Sequence, residues 1–349
     1  MTLQHSISLL QSWTQSLWAQ LPEPVRAAIN AYPIIPLALN SLLAIFVLRY
    51  LNRALTYWSL GNCSAKKWNK DRELVLITGG SSGIGQHVVL QLAERGVRCI
   101  VLDIQAPTYT LRTCSFALCP ILASPANATA AKSAHFYKTD ITSTEALHAT
   151  AERVRADHGH PTVLVNNAGV GHDGTILNEP ESKIRQTFEV NTLSHFLTVR
   201  EFLPAMLERN HGHVITVASM ASFVTLGEMV DYCCSKASAL AFHEGLGQEI
   251  RYWYQKPGVK TSVIHPYWVR TPMIQQLTEA GDLFKPPVLT VERVATAITR
   301  QVVSGKSGQV ILPEAYSVAS MLRAFPTWLQ EHVRGAASKD ILRLRQMQK

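Results

Sequence analysis

A chain of 349 residues, 47% hydrophobic and 17% charged, can bury a full core, which excludes a disordered protein and fits one large domain with appendages. The formal net charge of +8 is dispersed apart from a small cluster at Lys66, Lys67, Lys70 and Arg72, read as membrane-proximal; no nucleic-acid partner is expected. Cysteines at 63, 99, 114, 119, 233 and 234 include no pair with the two-residue gap of zinc or redox sites, and His158/His160 and His211/His213 sit in polar, turn-like stretches, so reduced thiols and no metal are expected.

The first sixty residues differ from the rest. Ile34 to Leu48 reads IIPLALNSLLAIFVL, fifteen residues without a charge. Crossing the hydrocarbon core takes about 20 apolar residues. That length is reached only over 31–51, by including Pro33, Pro36 and Arg49, so the segment is read as a single span or as a monotopic segment in one leaflet. A core helix of a soluble domain is the competing reading; a signal peptide is disfavoured because the apolar run begins far from Met1. Arg49, Arg53, Lys66, Lys67, Lys70 and Arg72 follow it against Arg26 alone before it, which puts the remainder of a spanning chain in the cytosol. Sequons at Asn62 and Asn127 would be silent there, and occupancy of either would reverse that topology.

From Arg72 to Pro313, short apolar runs alternate with helix-length stretches. The runs 74–78, 99–103, 162–166, 213–219 and 261–266 read as buried parallel strands, with a further candidate at 309–313. This pattern predicts a doubly wound parallel α/β sheet of Rossmann type over 72–313. Residues 106–134, rich in proline and poor in helical periodicity, are expected to be a loop insertion. The tail 314–349 places Met321, Phe325, Trp328 and Leu329 at helical spacing among Arg323, Arg334, Arg343 and Arg345, which fits an amphipathic segment against a membrane or the core.

The first strand runs straight into TGGSSGIG (78–85) and then a helical stretch closed by Gly96. Gly79, Gly83 and Gly85 let the backbone turn tightly and approach a pyrophosphate at a helix N-terminus. The next strand ends in Asp103, twenty-four positions after Gly79, where a carboxylate accepts from ribose hydroxyls and repels a 2′-phosphate. NAD is therefore expected in preference to NADP. Tyr232 and Lys236, four apart on a helical stretch, share a face; a nearby ammonium would stabilise a phenolate and make Tyr232 usable as a proton-transfer group. Ser219, thirteen residues before Tyr232 at a strand's carboxyl end, is placed to hold a substrate oxygen.

These motifs, together with NNAG (166–169) and Asn191 in order and spacing, resemble the short-chain dehydrogenase/reductase family over about 72–313. The resemblance implies a phosphate-binding turn at Thr78, Gly79, Ser81, Ser82, Gly83, Ile84 and Gly85, with Asp103 on the ribose and Asp140 and Ile141 around the adenine. It implies sheet-stabilising or cofactor-bordering roles for Asn166, Asn167, Ala168 and Gly169, and nicotinamide-side contacts from Pro266, Val269 and Thr271. Asn191, Ser219, Tyr232 and Lys236 match the family's tetrad: Tyr232 exchanges the proton, Ser219 holds the oxygen, Lys236 binds the nicotinamide ribose and tunes Tyr232, and Asn191 helps hold a relay water. Tyr267 stands where a glycine is usual, and the 106–134 insertion is a second departure.

The N-terminal apolar segment and the tail resemble the retinol and 17β-hydroxysteroid dehydrogenase branch. That implies a lipophilic alcohol or carbonyl, work at an endoplasmic reticulum or lipid-droplet surface, and a homodimer paired through 185–209 and 232–252. The substrate is expected over Tyr267 to Leu283, where Trp268, Met273, Ile274, Leu277 and Leu283 offer apolar surface. The alternatives are a catalytically idle nucleotide-binding surface protein and a soluble reductase of small polar carbonyls.

Overall fold

The computed structural model describes residues 34–107, 134–275 and 286–347, together with residue 284 and scattered positions before 34. The chain divides into two compact units, Met1–Leu60 and Gly61–Lys349.

The first unit contains helix α1, Ile34–Ser59. The helix extends beyond the expected segment's end at Leu51, while residues 31–33 of that segment lie outside the described residues. From Asn40 onward its side chains are almost all exposed, including Leu43, Phe46, Leu48, Leu51, Leu55 and Trp58. Among the described residues no helix is both long and apolar enough to cross a membrane.

The second unit is built on a seven-stranded, all-parallel sheet. Its strands are β1 (Leu74–Thr78), β2 (Arg98–Asp103), β3 (Ala134–Lys138), β4 (Val163–Asn166), β5 (Gly212–Val217), β6 (Val259–Pro266) and β7 (Gly308–Leu312). They lie in the order β3-β2-β1-β4-β5-β6-β7. Alternation along each strand sends successive side chains to opposite faces. Val75, Ile77, Val165 and Ile215 pack against helices α2 (Gly83–Glu94) and α7 (Val291–Ser304). Leu76, Leu164 and Val214 pack on the other face against α3 (Thr144–His158), α5 (Ser194–Arg209) and α6 (Val230–Gln248). A short helix α4 (Glu181–Phe188) runs into α5 through a π-helical turn, Glu189–Leu193. With both faces covered, β1, β4 and β5 are buried along their whole length.

The expected strands are present with ends shifted by one or two residues. Strand β3 was not anticipated, because at the sheet edge AHFYK leaves His135 and Lys138 exposed and offers no apolar run. Its first residue, Ala134, was assigned to the insertion, of which 108–133 lie outside the described residues.

Two outer segments complete the unit. Asn62 is buried: its Nδ2 donates to Ser307 O at 3.0 Å and its Oδ1 accepts from Ser307 N at 2.7 Å. The tail forms a 3-10 helix, Glu314–Ala324, and then α8 (Thr327–Met347). The anticipated stripe of Met321, Phe325 and Trp328 is exposed, while Leu322 and Ile341 are buried, the latter beside Met229 and Cys233.

Candidate active site

The carboxyl ends of the strands open onto a cavity of about 830 Å³. It lies where the strand order reverses between β1 and β4, the usual ligand position in an open α/β sheet. Gly79 sits at φ 65°, and a Cβ there would come within 2.8 Å of Ala168 Cα; at Gly85 it would come within 2.2 Å of the Gly79 carbonyl oxygen. Only glycine lets α2 begin so close to the turn. Gly79, Ser82, Gly83 and Ile84 form the cavity wall beside Asn167, Ala168 and Gly169.

Thr78, Ser81 and Gly85 stand behind that wall. Thr78 Oγ1 accepts from the amides of Asn167 and Ala168, both at 3.1 Å, and Asn167 Nδ2 donates to the carbonyls of Thr78 and Gly79, both at 3.0 Å. The two residues therefore tie the end of β1 to the end of β4. Ser81 N donates to Asp103 Oδ2 at 3.0 Å, and Gln105 N donates to Asp103 Oδ1 at 3.1 Å, fixing the carboxylate at the wall. Asp140 Oδ1 accepts from Thr142 N at 2.9 Å and Thr142 Oγ1 at 2.7 Å, with Ile141 alongside. A turn that no Cβ would fit, a helix N-terminus and a carboxylate at the end of β2 suit a dinucleotide's pyrophosphate and adenosine ribose.

Tyr232 and Lys236 lie one turn apart in α6, with Lys236 Nζ 5.7 Å from the Tyr232 ring centroid. The Tyr232 ring packs over Gly171, where a Cβ would meet it at 3.2 Å. Ser219 caps the 3-10 turn Met220–Ser222: its Oγ accepts from Ala221 N at 3.1 Å, donates to Pro266 O at 3.4 Å and is hydrogen-bonded to Tyr232. Lys236 Nζ donates to Val217 O at 3.0 Å. Ser219, Tyr232 and Lys236 share the cavity wall, whereas Asn191 does not. Asn191 is enclosed in the π-helical turn, where its Oδ1 accepts from Val170 N at 2.8 Å and its Nδ2 donates to Val170 O at 2.8 Å and Ser235 Oγ at 3.0 Å. Its side chain thus locks α6 and the β4 loop to the α4–α5 bend.

The electrostatics differ from the expectation at one point. Burial pushes the Tyr232 phenol up to about 12, against a lowering contribution from the Ser219 hydrogen bond. Burial likewise pulls Lys236 down to about 8. Desolvation of both groups outweighs the attraction expected between ammonium and phenolate.

Pro266, Val269 and Thr271 border the cavity on the β6 side, with Trp268, Met273 and Ile274; Leu277 and Leu283 lie outside the described residues. Tyr267 stacks edge-on against Tyr316 with centroids 5.3 Å apart, and Trp268 against Phe284 at 5.4 Å. Sequence reasoning missed the tail's share in the wall: Val333, Ala337 and Ile341 of α8 border the cavity at four-residue spacing. That repeat is present in the sequence, but three small or aliphatic side chains beside the tail's larger aromatics carry no ligand signal of their own.

The short chain dehydrogenase family model matches residues 73–282. The chain is 38% identical over 238 residues to Dehydrogenase RED2 of Cochliobolus heterostrophus, covering 66% of this chain and 83% of that protein. It is 34% identical over 230 residues to human Estradiol 17-beta-dehydrogenase 11, covering 66% and 73%. Among solved structures, a short-chain type dehydrogenase/reductase from Mycobacterium marinum superposes with a TM-score of 0.58 at 21% identity, over 70% of this chain and 96% of that one, which supports the fold. A glycine turn after β1, a cavity wall shared by Ser219 with Tyr232 and Lys236 of α6, and a family match over most of the second unit converge: this chain belongs to the short-chain dehydrogenase family and is an NAD(P)-dependent oxidoreductase acting on hydroxyl groups.

Proposed function

We propose that the protein oxidises an alcohol, or reduces the matching carbonyl, on a lipophilic substrate at a membrane surface, with NAD preferred to NADP. The observation that carries this reading is the shared wall: Ser219, hydrogen-bonded to Tyr232, borders one cavity with Lys236, the glycine turn and Asp103. When bound, the nicotinamide supplies or accepts the hydride. Ser219 and Tyr232 hold the substrate oxygen, and Tyr232 passes the proton at its hydroxyl. Lys236 donates to Val217 O and borders Gly169, which supports a role for it in binding the nicotinamide ribose. Asn191 keeps α6 in register with the β4 loop.

Asp103 at the end of β2 supports NAD, because a second negative group on the ribose would meet its carboxylate. A lipophilic substrate is supported by the wall of Trp268, Met273, Ile274, Phe284, Val333 and Ile341. The exposed apolar side chains of α1 support membrane attachment, and exposed Leu193 and Phe196 support pairing of two copies through the α5 region.

The test is a panel of retinoid, steroid and long-chain alcohols and carbonyls, run on the detergent-solubilised full chain with NAD and NADP in parallel and followed by reduced-nicotinamide absorbance. Turnover by wild type and a loss of about 10²–10⁴-fold in Tyr232→Phe, with cofactor affinity retained, are expected. Cofactor binding without turnover of any panel member would instead favour an idle nucleotide-binding surface protein.

A further inference from the structure

The second unit carries another open cavity, of about 680 Å³, at the end of the sheet opposite the cofactor cleft. Arg72 lies just before β1 and Val97 directly before β2, while Val303 belongs to the last turn of α7. Its rim is basic: Lys67, Lys70, Arg72 and Arg95 stand with a single carboxylate among the described lining, Asp71. All five side chains are exposed, whereas Trp68 is half-buried and packs on the core. A Cβ at Gly96, just past α2, would meet Lys70 Nζ at 3.6 Å, so Lys70 reaches the same corner as Arg95. Four like charges around one opening repel one another, and an anion seated among them relieves that repulsion.

Residues 61–66 bring the chain to this rim past the amino ends of β6 and β7, and they are pinned on the way. Lys260 Nζ, in a residue 3% exposed, donates to Gly61 O at 2.6 Å, Ser64 Oγ at 2.9 Å and Pro257 O at 2.6 Å. Asn62 is held by Ser307, and a Cβ at Gly305 would meet Lys66 O at 3.4 Å. Gly61 follows Ser59, the last residue of α1, by two positions, a stretch of chain that spans at most about 7 Å. A chain anchored through α1 therefore carries this end of the sheet to the bilayer. Next to Pro257, the π-helical turn Glu249–Trp253 and the residue after it expose Tyr252, Trp253 and Tyr254 at 61%, 74% and 45%. Tyrosine and tryptophan are enriched where a membrane meets water. Three strand-to-strand steps, about 15 Å, separate β1 above the basic rim from β6 beside these rings.

We propose that this end of the sheet is a docking face for anionic phospholipid, with a headgroup phosphate taken among Lys67, Lys70, Arg72 and Arg95 and the rings of Tyr252, Trp253 and Tyr254 at headgroup depth. The inference rests on the proposed membrane attachment through α1 and deepens it, because a basic patch gives a marginal apolar anchor a second attachment signal. The contact leaves the cofactor cleft, at the other ends of the strands, clear of the headgroups.

Hydrogen exchange of the full chain on phosphatidylcholine vesicles, with and without phosphatidylserine, tests it. Phosphatidylserine is expected to slow the amides of 66–72 and 251–256 about fivefold or more, the factor that one cation contributes beside an anionic surface. Lys67→Gln/Lys70→Gln is expected to abolish that difference at 66–72 while vesicle attachment and NADH binding persist. Equal exchange on the two kinds of vesicle, with protein attached to both, overturns the proposal and leaves anchoring by α1 intact; failure to attach to either overturns both. Inorganic phosphate that slows 66–72 as strongly as phosphatidylserine overturns it in favour of a small-anion site. Slowing that appears without vesicles as protein concentration rises overturns it in favour of a contact between copies.

Discussion

At the scale of single residues, the site trades charge stability for reactivity. Lys236 is pulled down to about 8 by burial, against 10.5 for the free side chain. Between those values the unfolded chain binds more protons than the folded one, so this residue's contribution to stability rises with pH. Its destabilising effect is full below pH 8 and is relieved as pH climbs towards 10.5. Melts of wild type and Lys236→Met from pH 7 upward are therefore expected to differ most at the low end, with the variant favoured, and to converge with rising pH. A pH-independent difference would mean that the ammonium is not desolvated in solution. Asp103 makes a second residue-scale prediction. Its two oxygens are fixed by the Ser81 and Gln105 amides, so the carboxylate has a set position from which to reject a 2′-phosphate. Asp103→Ser is expected to shift the NAD-to-NADP ratio of kcat/KM by about tenfold or more towards NADP, about 1.4 kcal/mol of discrimination. Parallel kinetics with both cofactors measure it.

At the scale of elements, legibility in the sequence followed burial. Strands β1, β4 and β5 are covered on both faces, so their apolar runs announced them; β3 is half exposed at the edge and left no such run. The glycine turn was legible because its glycines answer a steric demand that no other residue meets, as Gly85 against the Gly79 carbonyl illustrates. What spacing could not reveal was which motif residues face the cavity and which brace it: Thr78, Ser81 and Asn191 keep their motif positions but spend their polar atoms on backbone groups or an adjacent side chain. Nor could it reveal that desolvation would win at Tyr232, since burial is set by elements distant in sequence. The tail helix turns its small and aliphatic face, not its aromatic one, inward. That face makes a prediction. Ala337→Trp adds a large side chain to the cavity wall and is expected to raise KM for a bulky substrate about tenfold or more, with the dissociation constant of NADH unchanged. Equal loss of substrate and cofactor binding would instead point to a displaced helix.

At the scale of the whole molecule, the proposed membrane attachment rests on α1. α1 exposes leucine, isoleucine, phenylalanine and tryptophan side chains to a degree that water does not favour, and among the described residues no helix is both long and apolar enough to cross a membrane. A helix of this kind can lie in a bilayer's interfacial region or insert with its arginines reaching the headgroups, and both arrangements depend on its apolar side chains. Placing aspartates at Leu43 and Phe46 costs about 2.5–3.5 kcal/mol each if these positions sit at the hydrocarbon centre. Leu43→Asp/Phe46→Asp is expected to move the protein from the membrane pellet to the supernatant, with the second unit still binding NADH. Retention in the pellet would assign attachment to another surface. Orientation needs a separate readout, because the two sequons are not equivalent reporters. Asn62 is buried and exchanges two hydrogen bonds with the Ser307 backbone, so a glycan there would break a buried pair and its absence carries no topological information. Protease protection of the second unit in sealed microsomes avoids this difficulty: the basic residues after α1 predict digestion from the cytosolic side, and full protection would reverse that orientation.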